Sequence, residues 1–198
     1  MRYFAGFLVV LALILFGIVI FGGTGSNGGK KSATNPQAVV KTLPDYANTG
    51  AVVRVTIDGP INGDDMHRQI RMTISSGVRT LDIVQGYQGN VIQTESFANN
   101  VPAYSAFLNA LYRAGYTLKL NPKVNKFTTD NDLGACAQGS RYYFELMNTG
   151  NNADQRYWSS SCGPQLPGNF GGAGSLIVQL FGAQYNNYGA FTAVAGIQ

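Results

Sequence analysis

The sequence predicts an α+β fold: an antiparallel sheet built from a four-strand meander plus a later hairpin, with two helices on one face, preceded by one transmembrane helix. Three observations carry that expectation. Apolar and polar residues alternate in successive short runs between residues 51 and 94. A stripe at helical spacing follows, and strand-like and helix-like runs stay segregated instead of alternating. An uncharged apolar run covers residues 3–21.

That run is long enough to cross roughly 30 Å of hydrocarbon as a helix, so residues 1–22 are expected to be a membrane anchor. The rival is a cleaved signal peptide, whose apolar core is normally about 7–15 residues. Gly6-Phe7 suggests a prepilin, but Leu11 stands where such pilins carry glutamate. Charge hardly orients the span: Arg2 and the amino group face Lys30 and Lys31 across it. Residues 23–44, rich in Gly, Ser and Asn, form a flexible linker, and 45–198 the domain.

In the domain, Val53, Val55 and Ile57 alternate with Arg54, Thr56 and Asp58, the period of a strand with one wet face. MHRQIRMTIS turns Ile70, Met72 and Ile74 inward and His67, Gln69, Arg71 and Thr73 outward. Leu81 and Ile83 mark a third strand, and the Gly86–Gly89 turn leads to a fourth at Val91–Thr94. Then the period changes. Tyr104, Phe107, Leu108, Leu111 and Tyr112 make one helical stripe, with Asn100 as cap, Pro102 in the first turn and Gly115 beyond the end. SRYYFELMN and DQRYWSSSC form the later hairpin, turning near Gly150–Asn151. Leu176, Ile177, Leu180 and Phe181 mark the second helix.

Cys136 and Cys162 are the two cysteines of the chain. Folding the hairpin back brings them to its open end, close to register, where a disulfide would clasp the base. The alternative is two separate buried thiols. A bond needs an oxidising compartment and would put the domain outside the cytoplasm.

Chemistry is harder to find. From Gly50 onward ten Lys and Arg face nine Asp and Glu, so the formal charge of +4 sits largely in Arg2, Lys30, Lys31 and Lys41. No basic patch wide enough for nucleic acid emerges. Two cysteines and one histidine are too few for a structural zinc site. The run from Asp130 lacks the glycine and the final glutamate of an EF-hand loop. No metal or cofactor is expected. His67, the single histidine, lies close to Asp64 and Asp65, which opens a hydrolase reading with either aspartate orienting the imidazole; an exposed polar residue on a sheet face is the alternative.

The segments DYANTGAVVRVTIDGPING, HRQIRMTIS, GYQGNVI, FLNALYRAGYT, GACAQGSRYYFEL and RYWSSSCG together resemble a group of single-pass envelope proteins of Saccharibacteria-type ultrasmall bacteria, from Asp45 to about Tyr185. The resemblance implies a membrane-anchored domain outside a bacterial cell and brings no activity, cofactor or catalytic residue. In topology alone the chain is also similar to emfourin-type protease inhibitors.

The expected function is a binding or interaction domain on a bacterial cell membrane, single-pass with its C-terminal domain extracytoplasmic. Its partners are the membrane and a protein at the cell surface. Tyr87, Tyr142, Tyr157, Trp158, Tyr185 and Tyr188 supply residue types of adaptable binding faces, though Tyr also fills sheet–helix interfaces. The candidate surface is Tyr142, Tyr157 and Trp158 with His67 and Arg71. The His67 hydrolase and a protease-inhibitor-like domain are the alternatives.

Overall fold

Each alternating run becomes a strand in the computed structural model, which describes residues 41–148 and 153–197. The apolar run at 3–21, the linker up to residue 40 and the hairpin turn lie outside those residues. Among the described residues no helix is long and apolar enough to cross a membrane.

The meander comprises β1 (Val52–Asp58), β2 (Arg68–Ile74), β3 (Val78–Gln85) and β4 (Asn90–Ala98); the hairpin comprises β5 (Arg141–Met147) and β6 (Gln155–Ser160). Together they make a six-strand antiparallel sheet in the order β4-β3-β2-β1-β5-β6. The hairpin therefore docks on the outer edge of β1, and the first strand of the chain becomes central. The protein is α+β.

Register gives the sheet two chemically distinct faces. Leu81, Met72, Val55 and Phe144 sit side by side on one, all buried. The neighbouring row on the other face is Asp82, Arg71, Thr56, Tyr143 and Trp158, and the next is Thr80, Thr73, Arg54, Glu145 and Arg156. A register shift between Ile83 and Val84 lets β4 follow β3 past a bulge.

The apolar face is covered by α1 (Val101–Arg113), α2 (Gly174–Gly182) and α3 (Tyr188–Ala195). The α1 caps follow the sequence: the Asn100 side chain accepts from the Ala103 N–H at 2.9 Å, and Gly115 takes φ +79° just past the helix. Tyr104, Phe107, Leu108 and Leu111 are buried, each worth about 1.5–3 kcal/mol of apolar transfer for an aliphatic or Phe side chain. Tyr112 is not; half-exposed, it lies at the edge of the stripe. In α2, Ile177 and Phe181 point inward while Leu176 faces out. The third helix was not expected. Its signal is thin: Tyr188, Phe191 and Ala195 among small residues.

Three tyrosines tie the layers together. Tyr104 donates to the Ala51 carbonyl (2.8 Å), Tyr185 to that of Thr80 (2.8 Å), and the Tyr116 hydroxyl reaches the backbone of Arg54 and Glu145 on adjacent strands. Burial pushes all three phenols above their usual pKa. Part of the tyrosine richness is thus structural: apolar bodies fill the core while hydroxyls satisfy sheet carbonyls.

The long connection between α1 and β5 folds by local side-chain turns, with Asn121, Asn125 and Asn131 each accepting from the N–H two residues on. It covers Trp158, whose indole N–H donates to the Thr129 carbonyl at 3.0 Å. Segment 168–170 closes the outer edge of β6: the Asn169 carboxamide accepts from the Trp158 N–H at 2.7 Å, and the Asn169 and Phe170 N–H groups return to the Trp158 carbonyl. Gly168 permits this approach, with φ +75° and no room for a Cβ against the Trp158 backbone. An edge blocked in this way cannot recruit a foreign strand there.

The same segment anchors Asp130. Hydrogen bonds from Asn169 and from Lys119 hold its carboxyl below the usual carboxylate range. A lowered folded-state pKa means the contribution is complete above the unfolded pKa and is lost as pH falls through the folded value. The difference in melting temperature between wild type and Asp130→Asn is therefore expected to be largest above about pH 4 and to close on further acidification. Because Asp130 is largely exposed, the effect is small; a difference that widens in acid would contradict it.

Candidate functional site

The hairpin base carries the expected disulfide. Cys136 and Cys162 are joined, with Cα atoms 5.5 Å apart. Around it the Ser161 N–H donates to the Ser140 carbonyl, and the Ser140 N–H donates to Ser161 Oγ, each at 2.9 Å. Cys136 sits at φ +53°, a left-handed conformation that a non-glycine residue keeps only where its surroundings enforce it. Gly139 leaves space for the sulfurs: a Cβ there would stand 2.6 Å from Cys136 Sγ.

Beneath the disulfide lies a buried ionic cluster. Asp58 ends β1 and Arg141 begins β5; they face each other in register, and their side chains form an ion pair. His67, fully enclosed, presents Nε2 to Asp58 Oδ1 at 2.8 Å and Nδ1 to the Pro60 carbonyl at 3.0 Å. Both ring nitrogens are thus within hydrogen-bond distance of a fixed oxygen, which holds the ring in place. Arg141 also reaches the Gly59 and Ala135 carbonyls. Tyr87 closes the cluster from outside, its ring stacked on the imidazole at 4.1 Å and its hydroxyl donating to the Asn62 carbonyl at 2.9 Å.

This corrects two expectations about His67. It is not on a wet sheet face, and its carboxylate is neither Asp64 nor Asp65. Asp64 accepts from the Tyr87 N–H at 2.8 Å, and the Asp65 carbonyl accepts from Arg68 and Gln85. The alternation of β2 begins at Arg68, one residue too late to include His67. In this arrangement both ring nitrogens are engaged by Asp58 and Pro60, and the imidazole has no solvent contact.

On the helix side, the hairpin and α2 bound a cleft of about 490 Å³, lined by Tyr142, Ser159, Ser160, Gly174, Ser175, Val178 and Gln179. That is within the roughly 300–1,000 Å³ of small-ligand sites. A Cβ on Gly174 would meet Phe144, Ser159 and Phe170 at ordinary contact distances of 3.5–3.9 Å, so the approach does not depend on glycine there. Of the lining serines, only Ser160 uses its hydroxyl on another described residue, donating to the Leu166 carbonyl at 2.6 Å. Tyr142, Ser159, Ser175 and Gln179 thus present neutral polar groups beside the apolar Val178. Among the described residues, no ionisable acid or base lines the cleft apart from the Tyr142 phenol.

The opposite face of the sheet holds a smaller polar cleft of about 200 Å³, lined by Arg54, Thr56, Gln69, Arg71, Tyr143, Glu145 and Arg156. Arg156 lies over the Tyr143 ring at 4.2 Å and pairs with Asp132 at 2.8 Å. Burial, followed by the charge of Asp132, pushes the Tyr143 phenol up to about 12. Arg71 is half-buried, and burial together with the neighbouring Arg54 charge lowers its pKa.

The candidate surface residues therefore do not form one face. Tyr142 lines the helix-side cleft, and Tyr157 packs partly into the core on the same side. Trp158 projects to the opposite side and is enclosed at 1% exposure, because the long connection covers it; it offers no surface. Arg71 lies on the open face, and His67 is buried. Tyr185 is core, Tyr188 packs partly against it, and Tyr87 remains half-exposed over the ionic cluster. Asp58 and Arg141 were missed by sequence reasoning. Their signal is a charge at the end of each of two strands otherwise rich in apolar residues.

Among the described residues, no group of three His, Cys, Asp or Glu side chains is placed to hold a metal ion. No protein-family model, no curated protein and no solved structure matches the chain.

Proposed function

We propose that this protein is a membrane-tethered binding domain of the bacterial cell surface, anchored by residues 3–21 and displayed outside the cytoplasm on the Gly/Ser/Asn-rich linker that follows, the domain itself beginning by Leu43, which is buried in the core. The observation that carries the reading is the helix-side cleft, where Tyr142, Ser159, Ser175 and Gln179 converge beside Val178 without charge. Such a lining suits the neutral polar and apolar side chains of a protein partner, with hydrogen bonds setting orientation. The disulfide supports the extracytoplasmic part, since such bonds persist in oxidising compartments. The length and apolarity of residues 3–21 support the anchor.

A photocrosslinking residue at Gln179, in the full chain on intact cells, is expected to trap one discrete species. The same residue at Thr49, away from the cleft, is expected not to trap it. Val178→Asp should abolish the crosslink by placing a charge in the apolar part of the cleft. Equal trapping from both positions, or trapping indifferent to Val178→Asp, would remove the cleft from the reading. Added protease should also shave the domain from intact cells; a resistant domain with an intact bilayer would reverse the topology.

A further inference from the structure

The open face of the sheet has a shortage of acceptors. Three guanidinium groups, on Arg54, Arg71 and Arg156, line the 200 Å³ cleft with one carboxylate, Glu145. Glu145 is shared thinly: it stands 3.7 Å from Arg54 and 3.6 Å from Arg156, beyond good hydrogen-bond length. Arg156 has a better partner in Asp132. Arg54 does not, and its buried Nε has no hydrogen-bond partner among the described residues. Arg71 makes no ion pair within 4.0 Å among the described residues. Asp82 faces it across β2–β3, but lies outside the cleft lining and accepts the Thr94 hydroxyl at 2.5 Å. Gln69 and Thr56 add neutral donors beside the two guanidiniums.

We infer that this cleft binds an oxyanion, a carboxylate or a phosphate, held between Arg54 and Arg71. A planar or tetrahedral oxyanion supplies in one group the acceptors that both guanidiniums lack, and the guanidinium fork is built for such oxygens. It also relieves the repulsion between two neighbouring cations in a partly desolvated setting. The volume is below that of a drug-sized site and fits a small acid or the acidic terminus of a larger molecule. The site is on the opposite face from the helix-side cleft and stands independently of it.

The test is titration of the full chain, in neutral detergent, with sodium acetate and separately with methyl phosphate at constant ionic strength set by chloride. The readout is the NMR signals of the arginine Nε–H groups. Saturable shifts of the Arg54 and Arg71 signals are expected with at least one anion. Tighter acetate binding identifies carboxylate sources; tighter methyl phosphate binding identifies phosphorylated ones. Arg71→Gln should weaken binding at least tenfold. Gln69→Glu should do the same by placing a competing carboxylate beside Arg71, and it serves where Arg71→Gln fails to fold. Arg68→Gln, whose guanidinium is engaged by the Asp65 and His67 carbonyls, should leave affinity unchanged. Shifts that never saturate with either anion, or saturable shifts unmoved by both site variants, overturn the inference.

Discussion

Replacing Asp58 with alanine is expected to destabilise the protein by roughly 3–5 kcal/mol, the penalty for stranding a buried charge by deleting its partner. Asp58 is the acceptor on which His67 and Arg141 converge, and all three side chains are nearly inaccessible. Without it His67 Nε2 and one Arg141 nitrogen lose their partner at a site where the imidazole is fully buried under the Tyr87 ring. For a domain of this size the loss corresponds to a drop in melting temperature of about 6–20 °C. Asp58→Asn should cost less, because the carboxamide oxygen still accepts one of the two bonds. Arg156→Ala is the contrasting case. Its pair with Asp132 is partly exposed, and such pairs are worth about 0–1 kcal/mol. Thermal melts of the three variants give the comparison. If Asp58→Ala melts with Arg156→Ala, the buried cluster contributes little to the fold.

The second large effect belongs to the disulfide. Joining Cys136 to Cys162 closes a loop across a sequence separation of 26, which in the chain-entropy model stabilises by about 3–4 kcal/mol. Reduction, or serine at both positions, should therefore lower the melting temperature by about 6–16 °C. The bridge also holds the approach to Arg141: the Ile61 N–H bonds to the Ala137 carbonyl at 2.8 Å, and Arg141 begins β5 shortly after. Loss of the bridge should loosen the Asp58 cluster too, so the Asp58→Ala penalty is expected to shrink in the serine background. Coincident melts with and without reductant would show the bond to be incidental. Additive penalties would show that the two features are not coupled.

The residues of the expected binding surface lie on different faces because strand alternation sets where each side chain points but not what covers each side. Tyr157 and Trp158 are consecutive, so they must point to opposite faces. Tyr157 turns to the helices. Trp158 turns to the face that remains open over β1 and β2 but not over β6. Nothing in residues 121–133, a stretch rich in Asn, Asp and Lys, announces that it will cover an indole.

By itself the sequence determined what depends on neighbours along the chain: the inward sets of β1, β2 and β3, the capped α1, and the nearness of the two cysteines at a hairpin base. These follow from backbone periods and end groups, which a few consecutive residues set. Tertiary structure decided the rest: the docking of β5 on β1, the third helix, the enclosure of Trp158, and Asp58 as the partner of His67. Those outcomes depend on contacts between residues far apart in the chain. Asp58 lies nine residues before His67 and opposite Arg141, so the cluster forms only when the returning hairpin pairs with the first strand.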